Sequence, residues 1–341
     1  VSLISFTDKG LYCEKADVYI DPWKPVDKAL ITHAHADHSR WGMGTYAAHK
    51  HSLPVMRWRL GDIEAIGVEY GEQLRVNGVD ISFHPAGHIP GSAQIRLAHK
   101  GEVWVVSGDY KASADGLSTP FEPVKCTHFI TESTFGLPAF RWQPQEAVMS
   151  EINAWWAENR KNGQCSLLLC YALGKAQRIL NNLDPTIGEI FLHGAIVNTN
   201  TALESVGYEF TDATYLSAEI DKARLKGAMV LAPPSALGSS WTKKLKPFKT
   251  ATASGWMSLR GARRRRHTDR GFIFSDHVDW DELNAAVDAT GAENIFVTHG
   301  YSDVYSKWLR SKGLNAVPVK TEYEGELSDI GESRSEEKDT E

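Results

Sequence analysis

Short apolar runs bounded by turn-forming residues recur along the chain, at 29–32, 103–107, 129–131, 166–170, 229–232, 272–275 and 295–298. Their length and β-branched content predict buried strands. Between several of them the pattern changes to a helical period. It is clearest from Pro144 to Asn159, where Val148, Ile152, Trp155 and Trp156 recur near every 3.6 residues and Gly163 supplies a stop. Strands alternating with helices predict a layered α/β protein.

Composition narrows the class. The 341 residues are 42% hydrophobic and 23% charged, which excludes a fibrous or wholly disordered protein. No run approaches the roughly 18 apolar residues of a membrane span, and the N-terminus lacks a basic start followed by an apolar stretch, so a cytoplasmic chain without membrane contact is expected. Cys13, Cys126, Cys165 and Cys170 have no CxxC spacing, which gives neither a disulfide framework nor a thiolate metal site. The net charge of -6 argues against a uniformly basic coat but not against a local basic groove. Much of it comes from residues 324–341, expected to be a solvated, disordered acidic tail.

The 13 histidines are more than a generic domain needs, and some of them cluster. The strand at 29–32 runs into His33-Ala-His35-Ala-Asp37-His38, four ligand-type side chains in a six-residue stretch. His33 and His35 share one side of an extended segment. Asp37 and His38, as the chain turns into a helix, are expected to face a second ion. Imidazole with carboxylate suits zinc or manganese rather than copper or iron–sulfur. One loop cannot complete two coordination shells, so further ligands are expected at other strand ends: His88 in the turn-rich segment 86–92, Asp109 after the strand at 103–107, and His299 at the end of 295–298. His49, His51, His84, His99, His128, His193 and His267 lack metal spacing and read as surface or core residues.

No comparable grouping lies between Asp109 and His277, which an inserted domain explains. It is placed at 150–262, between a first part at 1–149 and a second at 263–323. The insert has its own strand at 166–170, a loop Tyr171-Ala-Leu-Gly-Lys175 and a helix from Ala176. Gly174 and Lys175 begin that helix, where backbone N–H groups and the lysine would meet a phosphate. Arg263 and Arg264 start a run of four arginines that is either solvated or lines the cleft. Trp256 reads as a core tryptophan rather than a base-stacking one.

From Asp21 to His299 these residues resemble the metallo-β-lactamase superfamily. Asp21, in Tyr19-Ile20-Asp21-Pro22, matches an aspartate that ends an early strand there and orients the histidine loop. Glu132 in Thr131-Glu132-Ser133-Thr134-Phe135-Gly136 resembles motif A of the superfamily's β-CASP nucleases, His277 in Ser275-Asp276-His277 motif B, and His299 motif C. The segment Ala172-Leu173-Gly174-Lys175-Ala176-Gln177 resembles their cap. The resemblance implies a four-layer αββα metallo-β-lactamase fold with an inserted α/β β-CASP cap domain. It also implies phosphodiester hydrolysis by a hydroxide bridging two divalent ions, zinc or manganese. In that reading His33, His35 and His88 hold one ion, Asp37, His38 and His299 hold the other, and Asp109 bridges them. His277 would protonate the leaving alkoxide, and Glu132 would orient His277 or a histidine ligand.

The short insert and the lack of an extension after His299 lean toward compact members, the bacterial ligase-associated DNA exonucleases, with Artemis-type repair nucleases more distant. The implied substrate is single-stranded DNA at an end, in repair. An ATP-dependent DNA ligase and a helicase are partners by resemblance alone. His299 is shared with the RNA-processing branch, which is the runner-up. The insert and the Glu132/His277 pair argue against a small-molecule metallohydrolase, and the filled ligand positions argue against a non-catalytic binding subunit.

Overall fold

The computed structural model describes residues 2–261 and 268–323; Arg263, Arg264, His267 and the acidic stretch from 324 onward lie outside them. The described residues form two compact units, one from the chain up to Arg141 together with the chain from His277, the other from Trp142 to Asp276. Elements are numbered along the chain.

In the first unit, β1 (Ser5–Phe6), β2 (Leu11–Cys13), β3 (Val18–Ile20), β4 (Lys28–Ile31), β5 (Thr45–His49) and β6 (Ala65–Val68) make one sheet in chain order. A second sheet is built from β7 (Gln73–Val76), β8 (Val79–Pro85), β9 (Ala93–His99), β10 (Glu102–Val106), β11 (His128–Ser133), β18 (Asn294–Gly300) and β19 (Asn315–Pro318), in the order β19-β18-β11-β10-β9-β8-β7. The two-residue period of a strand separates its faces. Trp104 and Val106 join Leu11, Ile20, Leu30, Phe83 and Leu97 in a core shared by both sheets, while Val105 between them faces the other way. That outer face is covered by α5 (Trp280–Thr290) and α6 (Ser302–Ser311), whose Leu283, Val287, Tyr305 and Leu309 pack with Phe129, Ile295 and Val297. On the first sheet, α1 (Leu53–Leu60) buries Leu53, Val55 and Met56, and Leu53 sits so close to Gly67 of β6 that a Cβ there would be 3.3 Å from it. The layers are therefore helix, sheet, sheet, helix, the αββα order expected.

Hairpins β7–β8 and β9–β10 close through Asn77-Gly78 and Lys100-Gly101, all four residues at positive φ (50°, 81°, 49° and 87°). Such turns match the twist of the strands they join. Strand direction does the rest. β10, β11 and β18 pair in parallel, β8 runs with β10 across the antiparallel β9, and β3 pairs in parallel with β4. The C-terminal ends of β8, β10, β11 and β18 therefore share one rim of their sheet, the position where open α/β sheets place ligands.

The second unit carries α2 (Gln145–Lys161), β12 (Cys165–Leu169), α3 (Lys175–Asn182), β13 (Ile190–Leu192), α4 (Gly194–Glu204), β14 (Thr214–Tyr215), β15 (Met229–Ala232), β16 (Phe248–Ala253) and β17 (Arg270–Phe272). Its sheet, β14-β13-β15-β12-β16-β17, is parallel throughout. β12 is central and buried at every residue, which explains an unbroken apolar run rather than an alternating one. This unit is longer at both ends than the 150–262 expected. α2 belongs to it because Val148, Ile152, Trp155 and Trp156 pack on its sheet, and β17 because it pairs with β16. The strand expected at 272–275 ends at Phe272, and Ser275 instead gives its carbonyl to Arg178 Nη1 at 2.9 Å. Among the described residues no helix is long and apolar enough to cross a membrane.

Candidate metal centre

β4 delivers Thr32 and His33 to the rim, and β10 delivers Gly108 and Asp109. Gly108 has φ +58°, and a Cβ there would lie 2.6 Å from Thr32 Oγ1, so only glycine lets the two exits pass this closely. The His33–His38 segment is a hydrogen-bonded turn and not the helix start expected. The N–H groups of His38 and Ser39 both donate to the His35 carbonyl, at 3.2 and 2.9 Å, and the next helix begins only at Leu53. The turn still aims its side chains inward, because adjacent donors to one carbonyl curl the backbone around it.

Asp109 is the centre of the site. Its Oδ2 lies 3.6 Å from His33 Nε2, 3.6 Å from His38 Nε2 and 3.9 Å from His88 Nε2, and its Oδ1 is 2.9 Å from His299 Nε2. Asp37 Oδ2 is 3.7 Å from His38 Nε2, and His35 Nδ1 is 3.1 Å from His88 Nε2. All seven ligand candidates thus converge, although the chain separates the outermost by 266 positions (33 to 299). One set, His33, His35, His88 and Asp109, places its ligand atoms within 4.8 Å of one another.

The residues fit a divalent pair. Among the described residues, His33 Nε2 and His38 Nε2 are buried without a hydrogen-bond partner. Their other ring nitrogens are engaged, His33 Nδ1 with Thr32 Oγ1 at 3.0 Å and His38 Nδ1 with Asp21 Oδ2 at 2.7 Å. Orphaned buried nitrogens are costly, and two of them facing one carboxylate form a site shaped for cations. Asp21 accepts from Thr32 N at 2.8 Å and Thr32 Oγ1 at 2.5 Å as well as meeting His38. Electrostatics agree with the geometry. Burial would raise the Asp109 carboxyl, but His38, His299 and His277 around it hold it well below the usual range. Burial opposes charge on His38 too, yet Asp109, Asp37 and Asp21 raise it to about 10, whereas burial and the neighbouring His38 push His33 well down. The cage thus favours positive charge at its centre, which bound cations would supply in place of a proton.

Glu132 and His277 stand beside this cage. Glu132 accepts from Tyr110 N at 2.8 Å, from Thr134 Oγ1, and meets His277 Nδ1 at 2.8 Å. Its carboxylate is thus held by Tyr110 and Thr134 while it meets His277. The His277 ring lies 4.7 Å from that of His88, and Asp109, Glu132 and His277 form a second close group.

The insert residues fare differently. Gly174, at φ +90°, donates its N–H to Gln177 Oε1 at 2.7 Å within its own helix start. Lys175 is fully buried, with Nζ 3.6 Å from Asp276 Oδ2 and 5.0 Å from the Tyr171 ring, and Arg178 also binds Asp276. The phosphate-facing role expected of Gly174 and Lys175 is therefore corrected: both are engaged inside the unit, because an aspartate 101 positions later in the chain (276 − 175) needed a buried cation. Arg263 and Arg264 lie outside the described residues. His84 bonds Ser82 Oγ at 2.9 Å, His193 caps α4, and Trp256 is buried, all away from any ligand role.

No family model matches the chain. A protein of Opitutus terrae named probable DNA ligase is 29% identical over 93% of this chain and 31% of its own length. A ribonuclease of Thermus thermophilus is 31% identical over 47% of the chain and 43% of its own, and cleavage and polyadenylation specificity factor subunit 3 of Dictyostelium discoideum is 31% identical over 34% and 15%. These likenesses agree with the resemblance to the β-CASP nucleases of the metallo-β-lactamase superfamily that the residues carry. It spans less than half the length of these curated relatives. A crystal structure of an Enterococcus faecalis protein of unknown function shares the fold, with a TM-score of 0.56 over 79% of this chain and 74% of that one, at 10% identity. Three residues next to the candidate ligands carried no signal in the sequence: Thr32, Thr134 and Tyr323. Threonines after or within strands are commonplace, and Tyr323 sits between two glutamates at the head of the acidic stretch.

Proposed function

We propose that the protein is a two-metal phosphodiesterase acting on nucleic acid, and that its substrate is single-stranded DNA at an end, in repair. The observation that carries this reading is the buried Glu132–His277 pair beside a cage of seven N and O ligands. Hydrolysis of an activated acyl bond needs no second acid, whereas a phosphodiester must expel a poor alkoxide.

His33, His35 and His88 would hold one ion, Asp37, His38 and His299 the other, with Asp109 shared. Zinc suits this donor set best and manganese next. When bound, such a pair supplies Lewis acidity at phosphorus and lowers the pKa of water. The chain's own residues do the remainder. Asp21 and Thr32 fix the tautomers of His38 and His33 so that each Nε2 points inward as a lone pair. Glu132 holds His277 by Nδ1, so proton delivery to the departing oxygen falls to Nε2 of that ring.

The likeness along 93% of the chain to a protein named as a DNA ligase favours DNA, and favours an ATP-dependent ligase, and with it a helicase, as working partners. The likeness to a protein named as a ribonuclease favours RNA as the second reading. Digestion of end-labelled single-stranded DNA and RNA of one sequence, with zinc or manganese, tests this directly. DNA is expected to be shortened from an end and RNA to persist; faster loss of RNA overturns the choice of DNA, and no cleavage of either overturns the nuclease reading.

A further inference from the structure

The segment after β19 folds back onto the metal cage and ends in a side chain no ligand pattern includes. Val319 N donates to the Val297 carbonyl at 2.8 Å, continuing the sheet edge, and Arg40 Nη2 takes the Glu322 carbonyl at 2.6 Å. These two bonds carry Tyr323 over His38. Its ring stacks on the imidazole, centroids 4.4 Å apart and planes 16° from parallel, and it meets the edges of His299 at 5.9 Å and Trp23 at 5.5 Å. Its hydroxyl donates to the Asp21 carbonyl at 3.0 Å.

Asp21 itself has φ +43°, a left-handed conformation that a non-glycine residue rarely holds without support. Its N–H is fixed to the Leu30 carbonyl at 2.9 Å, and Tyr323 fixes its carbonyl, so the strained residue is tied at both ends. Two constraints then act on one imidazole. The Asp21 carboxylate holds its Nδ1 edge and the Tyr323 ring holds its face, which leaves His38 no free turn about its own axis.

We infer that Tyr323 is a positioning residue for the second metal ion, acting through His38 and Asp21. This rests on the two-metal reading of the cage. Outer partners of a ligating histidine are commonly worth 10–100-fold in metal affinity, and the ring is expected to supply the larger share here because it lies nearly parallel to the imidazole, 4.4 Å from it. The ring contacts and the hydrogen bond of Tyr323 given above fall on His38, His299, Trp23 and Asp21, on the side of the second ion, so the second ion is expected to be affected first.

The test is titration of Zn2+ into the chelator-treated full chain by calorimetry, for wild type, Tyr323→Ala, Tyr323→Phe and Tyr323→Leu. Wild type is expected to bind two ions. Tyr323→Ala is expected to keep the tighter event and weaken the other at least tenfold. Tyr323→Phe, which keeps the ring and loses only the hydroxyl, should restore most of that loss, and Tyr323→Leu, which keeps bulk without a planar face, should not. Wild-type affinity for both ions in Tyr323→Leu overturns the inference, as does equal weakening of both ions in Tyr323→Ala and Tyr323→Leu. Wild type that binds no zinc would instead overturn the metal reading itself. If Tyr323→Ala does not fold, the Phe and Leu variants carry the decision.

Discussion

Replacing His277 removes one nitrogen pair from the site and leaves the cage intact, which makes its cost calculable. The ring is held at 2.8 Å by Glu132, and Glu132 is held in turn by Tyr110 N and Thr134. A positioned acid contributes about 10²–10⁴-fold to a rate, or ~3–5 kcal/mol of barrier at about 1.4 kcal/mol per tenfold. His277→Ala is expected to lose that much in kcat on an oligonucleotide while retaining its metal content. Glu132→Gln keeps the shape and the acceptor for Tyr110 N but loses the charge that orients the ring, so about 10–10²-fold is expected. Because Glu132 acts through His277, the double variant should be no slower than His277→Ala alone. Single-turnover rates with metal content by mass spectrometry measure all three. Two independent losses that multiply in the double variant would refute the view that the pair is one device, and full turnover in His277→Ala would remove it from the chemistry.

Asp109→Asn leaves four imidazoles without their shared carboxylate, so both ions and all cleavage should be lost; retained zinc in dialysed protein contradicts the bridging role. Zinc or manganese added to chelator-treated wild type should raise the melting temperature, since binding only to the folded state stabilises it, and a flat response counts against the cage. Asp276→Ala removes the buried carboxylate shared by Lys175 and Arg178 and should cost about 3–5 kcal/mol in urea unfolding; a loss under 1 kcal/mol would mean that their other partners or water take its place. His49 is buried and stacked on Tyr70, and burial together with His51 lowers its pKa to about 4. The folded state resists protonation that the unfolded chain accepts near 6.5, so stability is complete above pH 6.5 and falls toward pH 4, by at most ~3 kcal/mol. His49→Gln should flatten that part of the curve relative to wild type, and an unchanged slope refutes the assignment.

The candidate ligands were legible because they are dense and chemically narrow: four of them occupy a six-residue stretch, and the rest sit beside glycines at the ends of apolar runs. The strands at 103–107 and 229–232 were legible for the same reason, being short, apolar and bounded. β8 and β9 were not, since His84, Gln94 and Arg96 break the apolar run, and only hairpin pairing across Phe83 and Ile95 makes them strands. α5 and α6 were hidden by their polar outer faces, although Asp279 and Glu282 form a reciprocal cap at the start of α5. Lys175 was misplaced because a lysine opening a helix normally points to water. Its buried partner, Asp276, is remote in the chain, and local pattern cannot reveal such a pairing. Tyr323 fails the same way, as its placement depends on the two hydrogen bonds that tie the chain back to Val297 of β18 and to Arg40.

The two tight hairpins at Asn77-Gly78 and Lys100-Gly101 lie at the opposite ends of the strands that deliver His88 and Asp109. One end of the sandwich is thus committed to chemistry while the other is mere plumbing. Extra residues, a fluorophore or a tether grafted into either hairpin would sit a full strand length from His88 and Asp109, so this end is the natural handle for immobilising or labelling the molecule away from the candidate site.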